Sequence, residues 1–211
     1  MKKKEKIPNP AAERLVLYSR SLAAFMGNGE FSISSEKLAG LCNVNPAQVR
    51  KDLAYFGDFG VRGVGYDARD LLQQIKKILG TDRVWRLCIV GMGNLGTALV
   101  ENENFKKRGY QFVAAFDIVP RKISRELPNG LIIESIEKIE DLVRVLSVDI
   151  GVITTPPREA QRTADRLVDA GVKAVMNFAP VQVRVPECCV AENVDFSVKL
   201  ENLAYHLGKA R

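Results

Sequence analysis

The feature that most constrains the fold is a glycine turn in the middle of the chain. Six residues of strand length, 85–90, lead directly into Gly91-Met-Gly93-Asn-Leu-Gly96, and a helical pattern continues to Phe105. In this order the first glycine allows a sharp turn, the second lets backbone approach a pyrophosphate, and the third lets the helix pack on the strand. The helix N-terminus also attracts phosphate. We therefore expect the ADP half of a dinucleotide to bind at Gly91, Met92, Gly93, Asn94, Leu95 and Gly96.

Asp117 is the candidate ribose ligand. It ends a predicted strand at 111–116 and lies 26 positions after Gly91, where a carboxylate accepts hydrogen bonds from an adenosine ribose. A 2′-phosphate would meet a like charge there, which favours NAD over NADP. Arg121 and Lys122 keep NADP open, because either side chain can pair with such a phosphate.

Strands and helices alternate through the rest of the chain. Further strands are predicted at 131–133, 149–154 and 174–178, with helices at 136–146 and 158–170. This alternation predicts an α/β domain with a doubly wound parallel sheet, a Rossmann domain. Ligands bind beyond the carboxyl ends of such strands, although the same loops are also typical of ordinary Pro-terminated turns. The residues expected around the nicotinamide are Thr155, Pro156, Asn177 and Phe178.

The first third of the chain predicts a helix-turn-helix. A helical stripe at 11–26 is followed by a short helix capped at Ser34 and by a third helix that begins at Pro46 after the capping residue Asn45. In a helix-turn-helix the second of two such helices enters the DNA major groove. Its polar side chains suit base edges and phosphates. The expected DNA contacts on this helix are Gln48, Arg50, Lys51 and Tyr55.

The segment 57–66 follows with four glycines in ten positions. It predicts a tight β-hairpin, the wing of a winged helix, with Arg62 at its tip placed to reach a phosphate or a minor groove. The alternative is an interdomain linker with a solvated arginine.

Charge and composition narrow the function classes. Residues 1–80 carry 13 Lys and Arg against 8 Asp and Glu, whereas the remainder carries 18 against 17. This excess fits a module that binds a polyanion at the amino-terminal end. No stretch approaches the roughly 18 apolar residues of a membrane-spanning helix, and no signal-peptide run follows the first lysines. We therefore expect no membrane partner and a cytoplasmic location.

The cysteines and the single histidine disfavour a metal site and an enzyme. Cys42, Cys88, Cys188 and Cys189 lack the spacing of a zinc or redox motif. Cys188 and Cys189 are expected on a strand, whose alternation would separate their sulfurs. His206 lies in the last six residues, so we expect no catalytic residues. A lysine or tyrosine proton donor keeps an NAD-dependent oxidoreductase open, and a CoA- or nucleotide-binding module that acts by protein contact is a second alternative.

Two segments resemble the redox-sensing transcriptional repressor family known as Rex. They are Gln48-Val-Arg-Lys-Asp-Leu-Ala-Tyr-Phe-Gly-Asp-Phe-Gly-Val-Arg-Gly-Val-Gly-Tyr66 and Cys88-Ile-Val-Gly-Met-Gly-Asn-Leu-Gly96. Shorter matches are Asn177-Phe-Ala-Pro180 and Glu192-Asn-Val-Asp-Phe196. The resemblance covers nearly the whole chain, and the first segment is the specific one.

The resemblance implies a homodimer that represses genes of fermentation and NADH reoxidation while NADH is scarce. Binding of NADH closes the dimer and releases double-stranded operator DNA, which a two-fold dimer predicts to be palindromic. The implied domains are a winged helix at 1–80, a Rossmann domain at 81–196 and a domain-swapped C-terminal helix at 197–211.

The resemblance also implies contacts between the subunits. Phe196 lies by the nicotinamide of the other subunit, and Arg20 pairs with Asp195 across the dimer in one state. Some relatives carry a tyrosine at the place of Asn102, so a switch contact by that ring does not transfer to this chain.

The cofactors NADH and NAD differ in charge at the nicotinamide. A pocket lined by Phe178, Ala179, Pro180 and Phe196 would solvate the neutral dihydronicotinamide well and the cationic ring poorly. The expected effector is therefore NADH.

Overall fold

The computed structural model describes residues 9–57, 59–60 and 65–209. The chain divides into two units, of which the first ends at Arg83 and the second begins at Val84. The boundary predicted from the sequence lies three residues earlier, after residue 80.

The first unit has the helices and short strands of a winged-helix domain. Ser34 Oγ accepts a hydrogen bond from the N–H of Lys37, and Asn45 Oδ1 accepts one from the N–H of Ala47. Pro46 occupies the first turn of the third helix, where its missing N–H leaves no bond unmade. Both predicted caps are confirmed. The elements are α1 (Asn9–Met26), β1 (Ser32–Ile33), α2 (Ser35–Cys42), α3 (Pro46–Ala54), β2 (Tyr66–Asp67) and α4 (Ala68–Leu79).

The described end of the predicted wing pairs with the strand before α2. Tyr66 lies opposite Ile33 in an antiparallel pair of β1 and β2. Gly65 has a φ of +101°, and a Cβ there would lie 2.7 Å from the carbonyl oxygen of Ile33, so glycine is required at this crossing. Arg62, at the predicted tip, lies outside the described residues, and the hairpin at 57–66 stays a prediction.

Asp52 joins α1 to α3 beneath the surface of the first unit. Its side chain is 1% exposed. Arg14 donates from Nε (2.6 Å) and Nη2 (2.7 Å), Tyr18 Oη donates at 2.8 Å and Gln48 Nε2 at 2.7 Å. Burial raises the pKa of Asp52, but these donors outweigh it and hold the pKa below its ordinary value. Asp52 is therefore ionised at neutral pH.

Asp52→Asn should destabilise the first unit. The substitution keeps the shape but removes the charge, and breaking a buried ion pair by neutralising one partner costs about 3 to 5 kcal/mol. We expect the free energy of unfolding to fall by about 3 kcal/mol in urea denaturation followed by circular dichroism. Fluorescence of Trp85, the single tryptophan of the chain, reports the second unit separately.

The pH dependence of this interaction has a defined sign. The folded pKa is depressed, so the stabilisation is fully present above the unfolded-state pKa of about 3.9 and is lost as pH falls through the lower folded value.

Glu13→Gln makes the same chemical change at an exposed position of α1 and should leave stability unchanged. Equal unfolding free energies for Asp52→Asn and the unmodified chain would contradict the role given to Asp52.

The second unit is a six-stranded parallel sheet in the order β5-β4-β3-β6-β7-β8. This is the order 3-2-1-4-5-6 of a doubly wound Rossmann sheet, so the predicted fold class of this unit is confirmed. The strands are β3 (Trp85–Val90), β4 (Tyr110–Asp117), β5 (Ile133–Ser135), β6 (Ile150–Ile153), β7 (Ala174–Asn177) and β8 (Val190–Asn193). The helices are α5 (Asn94–Glu101), α6 (Glu103–Lys107), α7 (Ile139–Val145), α8 (Pro157–Asp169) and α9 (Phe196–Lys209).

The helix after the glycine turn is shorter than predicted. It ends at Glu101, and Asn102 takes an extended conformation with ψ 99°. The Asn102 side chain then accepts a hydrogen bond from the N–H of Asn104 and caps α6. A side chain that bonds to nearby backbone competes with helix continuation, which explains the break.

Cys188 and Cys189 do not lie on a strand. They occupy a turn in which the N–H of Cys189 donates to the carbonyl of Pro186 at 2.9 Å, and β8 begins only at Val190. The two sulfurs are 3.8 Å apart. The prediction that strand alternation separates them is wrong, because the turn removes that alternation.

Candidate functional site

The glycine turn is fixed by contacts that only glycine permits. Gly91 has a φ of +100°, and a Cβ there would lie 2.8 Å from the carbonyl of Thr154. A Cβ on Gly96 would collide with the carbonyl oxygen of Gly91. Thr154 Oγ1 donates to that same carbonyl oxygen at 2.6 Å. The ends of β3 and β6 and the start of α5 therefore converge at one point.

Gly93 differs from the other two glycines because the protein itself leaves its surroundings open. No described heavy atom would lie within 4 Å of a Cβ at Gly93, and its φ of −82° suits any residue. Gly93 is the N-cap of α5 and has no side chain to bond the N–H groups of the first turn. The exposed residues Asn94 and Leu95 follow it. The opening therefore suits an anion.

Asp117 is buried and already bonded. Met92 N–H (2.8 Å) and Lys122 Nζ (2.9 Å) donate to Oδ2, and the N–H of Val119 donates to Oδ1 at 2.8 Å. Burial raises the pKa of Asp117, but the Lys122 ammonium and the two N–H groups hold it below its ordinary value. A carboxylate has about four lone-pair sites, so one on Oδ1 remains for a ribose hydroxyl.

A cavity of about 680 Å³ opens at the carboxyl ends of β3 and β6. This is the point where the strand order reverses, the usual ligand crevice of such sheets. Thr155 Oγ1 is shielded there and has no hydrogen-bond partner in the part of the chain that the structure describes. A shielded hydroxyl without a partner is costly, so it points to a bound group. Five of the predicted residues line this cavity: Gly91, Gly93, Asp117, Thr155 and Pro156.

The side chain of Asn177 is hydrogen-bonded to other residues of the same chain. It is 0% exposed, and its Nδ2 donates to the carbonyl of Val181 (2.6 Å) and to Asn193 Oδ1 (2.9 Å). Its Oδ1 accepts from the N–H of Ala179 at 3.0 Å. Asn177 therefore holds the loop after β7 and ties it to β8.

The two aromatic residues expected near the nicotinamide lie together, apart from the cavity lining. The ring centroids of Phe178 and Phe196 are 6.2 Å apart, and Phe196 is exposed at the start of α9.

The cavity also has a basic side, which was not predicted from the sequence. Arg162 and Arg166 line it from successive turns of α8. Arg166 is bonded to Glu140 through Nε (2.7 Å) and Nη2 (2.9 Å), whereas no ion pair of Arg162 is found among the described residues. The spacing of arginines four apart after Pro156-Pro157 was the signal that marks one helix face.

The third helix presents part of the predicted DNA surface. Lys51 and Tyr55 are exposed, while Val49 and Leu53 on the opposite side are buried. Arg50 Nη1 donates to Ser35 Oγ (2.7 Å) and approaches Glu36 Oε1 (3.1 Å).

Gln48 and Asp195 are each hydrogen-bonded within the chain, whereas Arg20 is exposed. Gln48 donates to Asp52, as described above. Asp195 accepts hydrogen bonds from the N–H and Oγ of Ser197 at the start of α9, and these hold its pKa below the ordinary value. Arg20 is exposed on α1. The pairing of Arg20 with Asp195 stays a prediction.

Two kinds of feature are absent from the part of the chain that the structure describes. Across residues 9–57, 59–60 and 65–209 no helix is long and apolar enough to cross a membrane. The same residues contain no cluster of three or more His, Cys, Asp or Glu side chains arranged to hold a metal ion.

The fold and the site define a class of protein, a winged-helix DNA-binding domain followed by a Rossmann dinucleotide-binding domain. Two family models agree with this division: residues 6–54 match a putative DNA-binding protein N-terminus and residues 82–181 match a CoA binding domain. The chain belongs to the Rex family of redox-sensing transcriptional repressors. The predicted resemblance is therefore confirmed.

The relatives match along almost their whole length. The redox-sensing transcriptional repressor Rex of Syntrophobacter fumaroxidans is 54% identical over 96% of both chains. That of Solidesulfovibrio magneticus is 45% identical over 97% of this chain and 93% of its own.

Two solved structures match over the same extent. The crystal structure of RSP in complex with β-NAD⁺ and operator DNA is 36% identical, with a TM-score of 0.93 over 97% of this chain and 94% of RSP. RSP in complex with β-NADH is 35% identical, with a TM-score of 0.86 over 97% and 95%.

Gly96→Ala and Gly93→Ala should separate packing from ligand access. The added methyl group at Gly96 collides with backbone, and overpacking of this kind costs about 1 to 3 kcal/mol or more. We expect the free energy of unfolding, measured by Trp85 fluorescence in urea, to fall for Gly96→Ala. For Gly93→Ala it should stay within about 0.5 kcal/mol of the original value. Equal losses in both variants would contradict the open surroundings of Gly93.

Proposed function

We propose that this chain is a repressor that binds operator DNA and leaves it when NADH occupies the Rossmann domain. The observation that carries the proposal is the match along nearly the whole chain to RSP, which has been crystallised with β-NAD⁺ and operator DNA and with β-NADH. The open glycine turn and the unpartnered Thr155 hydroxyl support a nucleotide at the carboxyl ends of β3 and β6.

The ADP half would lie against the glycine turn. The pyrophosphate approaches at Gly93 and the first turn of α5, where orphan N–H groups and the helix dipole favour an anion. The free lone pair of Asp117 accepts from the adenosine ribose, and its ionised state disfavours a 2′-phosphate. The residues assigned to this half are Gly91, Met92, Gly93, Asn94, Leu95, Gly96 and Asp117.

The nicotinamide half would lie at the loops after β6 and β7. Thr155 and Pro156 contact it directly, with Thr155 Oγ1 free to bond the carboxamide. Asn177 acts through the loop that it holds, and Phe178, which lies beside Phe196 of its own chain, supplies an apolar surface. Phe196 of the other subunit would approach the same nicotinamide. Such surroundings solvate the neutral ring of NADH better than the cationic ring of NAD⁺. The effector is therefore the reduced cofactor.

The DNA surface would be formed by α3 and the wing. Lys51 binds phosphate, Tyr55 packs at the end of the helix, and Arg62 reaches the backbone or the minor groove. Arg50 and Gln48 exchange their partners Ser35 and Asp52 for DNA when they read bases. Because the protein is a two-fold homodimer in this proposal, the operator is palindromic.

The homodimer would be built on α9. None of its described residues is buried. Three of the exposed residues are leucines: Leu200, Leu203 and Leu207 are 65%, 61% and 70% exposed. Together with Phe196 they repeat at the spacing of one helix face. An exchanged helix on a second copy covers that face, and the pairing of Arg20 with Asp195 of the other subunit then depends on the state of the dimer.

We further propose that the protein acts in the cytoplasm without catalysing a reaction. Its relatives carry the name of a regulator, and a reversible release of DNA requires binding alone. The match of residues 82–181 to a CoA binding domain makes CoA the alternative ligand.

Titration of nucleotides against a protein–DNA complex tests this function. In the presence of excess NAD⁺, we expect NADH to release the protein from a labelled palindromic duplex and thereby lower the fluorescence anisotropy of that duplex. CoA should leave the anisotropy unchanged. Gly93→Val fills the phosphate approach, and its Cβ would meet no described heavy atom within 4 Å, so it should retain DNA binding and lose the response to NADH. Release by CoA alone would assign the other ligand, and an unaltered NADH response in Gly93→Val would contradict the proposed pyrophosphate position.

Lys51→Ala tests the DNA surface. Removing one phosphate contact should weaken binding on all sequences and reduce the slope of log affinity against log salt by about 1. Lys106→Ala removes an exposed lysine from the second unit and should change neither quantity. Identical salt slopes for Lys51→Ala and the unmodified protein would remove α3 from the interface.

Leu203→Glu tests the dimer. A charge on the apolar face of α9 should shift the sedimentation coefficient to that of a monomer, because a buried charge without a partner is strongly unfavourable. Asn202→Glu places the same residue on another side of the helix and should leave the dimer intact. Dimers of equal stability in both variants would place the interface elsewhere.

A further inference from the structure

The turn before β8 brings two thiols together at the surface of the second unit. The sulfurs of Cys188 and Cys189 are 3.8 Å apart. Cys188 is exposed, whereas Cys189 is buried and its sulfur lies 3.6 Å from the carbonyl oxygen of Val172. An accessible thiol beside a shielded one is the arrangement of an attacking and a resolving cysteine.

We propose that Cys188 and Cys189 form a reversible dithiol switch that reacts with hydroperoxides. The site is separate from the nucleotide cavity, whose lining contains neither cysteine. It adds a second redox input that senses an oxidant, whereas the proposed NADH site senses a reduced cofactor.

The reaction consumes one hydroperoxide and yields an alcohol, or water when the oxidant is hydrogen peroxide. The Cys188 thiolate attacks the outer peroxide oxygen, the O–O bond breaks and Cys188 becomes a sulfenic acid. The Cys189 sulfur then attacks the Cys188 sulfur, the S–O bond breaks and water leaves with the thiol proton. Two thiols thus give two electrons to the peroxide and form one S–S bond.

The resulting disulfide is suited to regulation. Neighbouring Cα atoms across a trans peptide lie about 3.8 Å apart, below the about 4.4 to 6.8 Å range of ordinary disulfides. Closing the bond also requires the sulfurs to approach to about 2.0 Å. Strained and exposed disulfides are the easily reduced ones. Cellular thiols therefore reverse this bond once the oxidant is gone.

The other cysteines provide internal comparisons. Burial raises the pKa of the Cys88 thiol to about 12, so Cys88 has almost no reactive thiolate at neutral pH. Cys42 donates its thiol to Ser21 Oγ at 3.1 Å and has no second cysteine beside it. Reaction is therefore expected at the pair in the turn.

Oxidation would act on the strand that follows the turn. Val190 begins β8, which runs parallel to β7 as far as the pair of Asn193 with Asn177. Asn193 Oδ1 accepts from both Asn177 Nδ2 (2.9 Å) and the N–H of Val183 (3.1 Å). Pulling the Cys189 sulfur from Val172 displaces the start of β8 and thereby the loop of Asn177. We expect weaker NADH binding, a consequence that rests on the proposed function, whereas disulfide formation does not.

Mass spectrometry of the full-length protein tests the bond. The tryptic peptide 185–199 contains Cys188 and Cys189 and neither of the other cysteines. After hydrogen peroxide and alkylation of free thiols, we expect this peptide to lose two hydrogen atoms and to escape alkylation, with full reversal by dithiothreitol. Cys88 stays reduced. Sulfinic acid on Cys188 beside a free Cys189, or a disulfide between two copies, would overturn the proposal.

Single substitutions test the order of attack. Cys189→Ser should trap sulfenic acid on Cys188, which a dimedone-type reagent captures, and Cys188→Ser should leave Cys189 largely unreacted. Cys42→Ser removes a thiol outside the pair and should form the disulfide as before. Equal peroxide reactivity of Cys188→Ser and Cys189→Ser would refute the assignment of Cys188 as the attacking residue.

Fluorescence titration with NADH tests the coupling. The dissociation constant should rise several-fold in the oxidised protein and return after reduction, whereas peroxide should not change it in Cys188→Ser. An unchanged constant in a protein shown to hold the disulfide would refute the coupling. If the reduced protein does not bind NADH at all, the proposed function fails, and the disulfide result stands on its own.

Discussion

The contact of Gly96 with the carbonyl of Gly91 is the constraint on which the second unit depends. Two backbone segments meet there without a side chain between them, and the hydroxyl of Thr154 bonds to the same carbonyl. Because Gly91 directly follows β3, Thr154 directly follows β6 and Gly96 lies in α5, the contact fixes the point where the strand order reverses. The crevice opens at that point, and the free first turn of α5 faces the same region. The three glycines therefore provide both packing and ligand access. Gly91 takes a positive φ, Gly96 lies against backbone, and Gly93 leaves the N-terminus of α5 open.

A buried charge performs the corresponding task in the first unit. Asp52 is isolated from water, so its carboxylate needs donors, and Arg14 and Tyr18 on α1 supply them across more than thirty residues of sequence. This cluster and the apolar residues of the same core hold α1 against α3. Lys51 and Tyr55 remain exposed to solvent. The position of the exposed face of α3 is thus a consequence of what its buried face must satisfy.

Sequence patterns predicted the parts of the structure that depend on local chemistry. The caps at Ser34 and Asn45, the strand before Gly91 and the alternation of strands and helices follow from hydrogen bonding and periodicity within a few residues. They failed at Asn102, whose side chain bonds to nearby backbone and ends a helix that its neighbours favour. Nor did they reveal the partners that Gln48 finds in Asp52 and Asn177 finds in its own loop. The turn at Cys188 was missed as well, since Cys188 and Cys189 were expected on a strand that begins only at Val190.

The proposed switch places a demand on particular parts of the Rossmann unit. Moving the dimer from 1:99 to 99:1 in favour of the form that has left DNA requires NADH to bind that form about 5.5 kcal/mol more tightly than the DNA-bound form. Each of two sites then contributes about 2.7 kcal/mol. The ADP half is identical in NADH and NAD⁺, so Asp117 and the glycine turn add affinity without distinguishing the two cofactors. Discrimination must therefore arise at the loops after β6 and β7. The loop after β7 is held by Asn177 to Asn193 on β8, and β8 leads directly into Asp195 and α9. A change at the nicotinamide thus reaches the helix proposed for dimerisation through one continuous segment of chain.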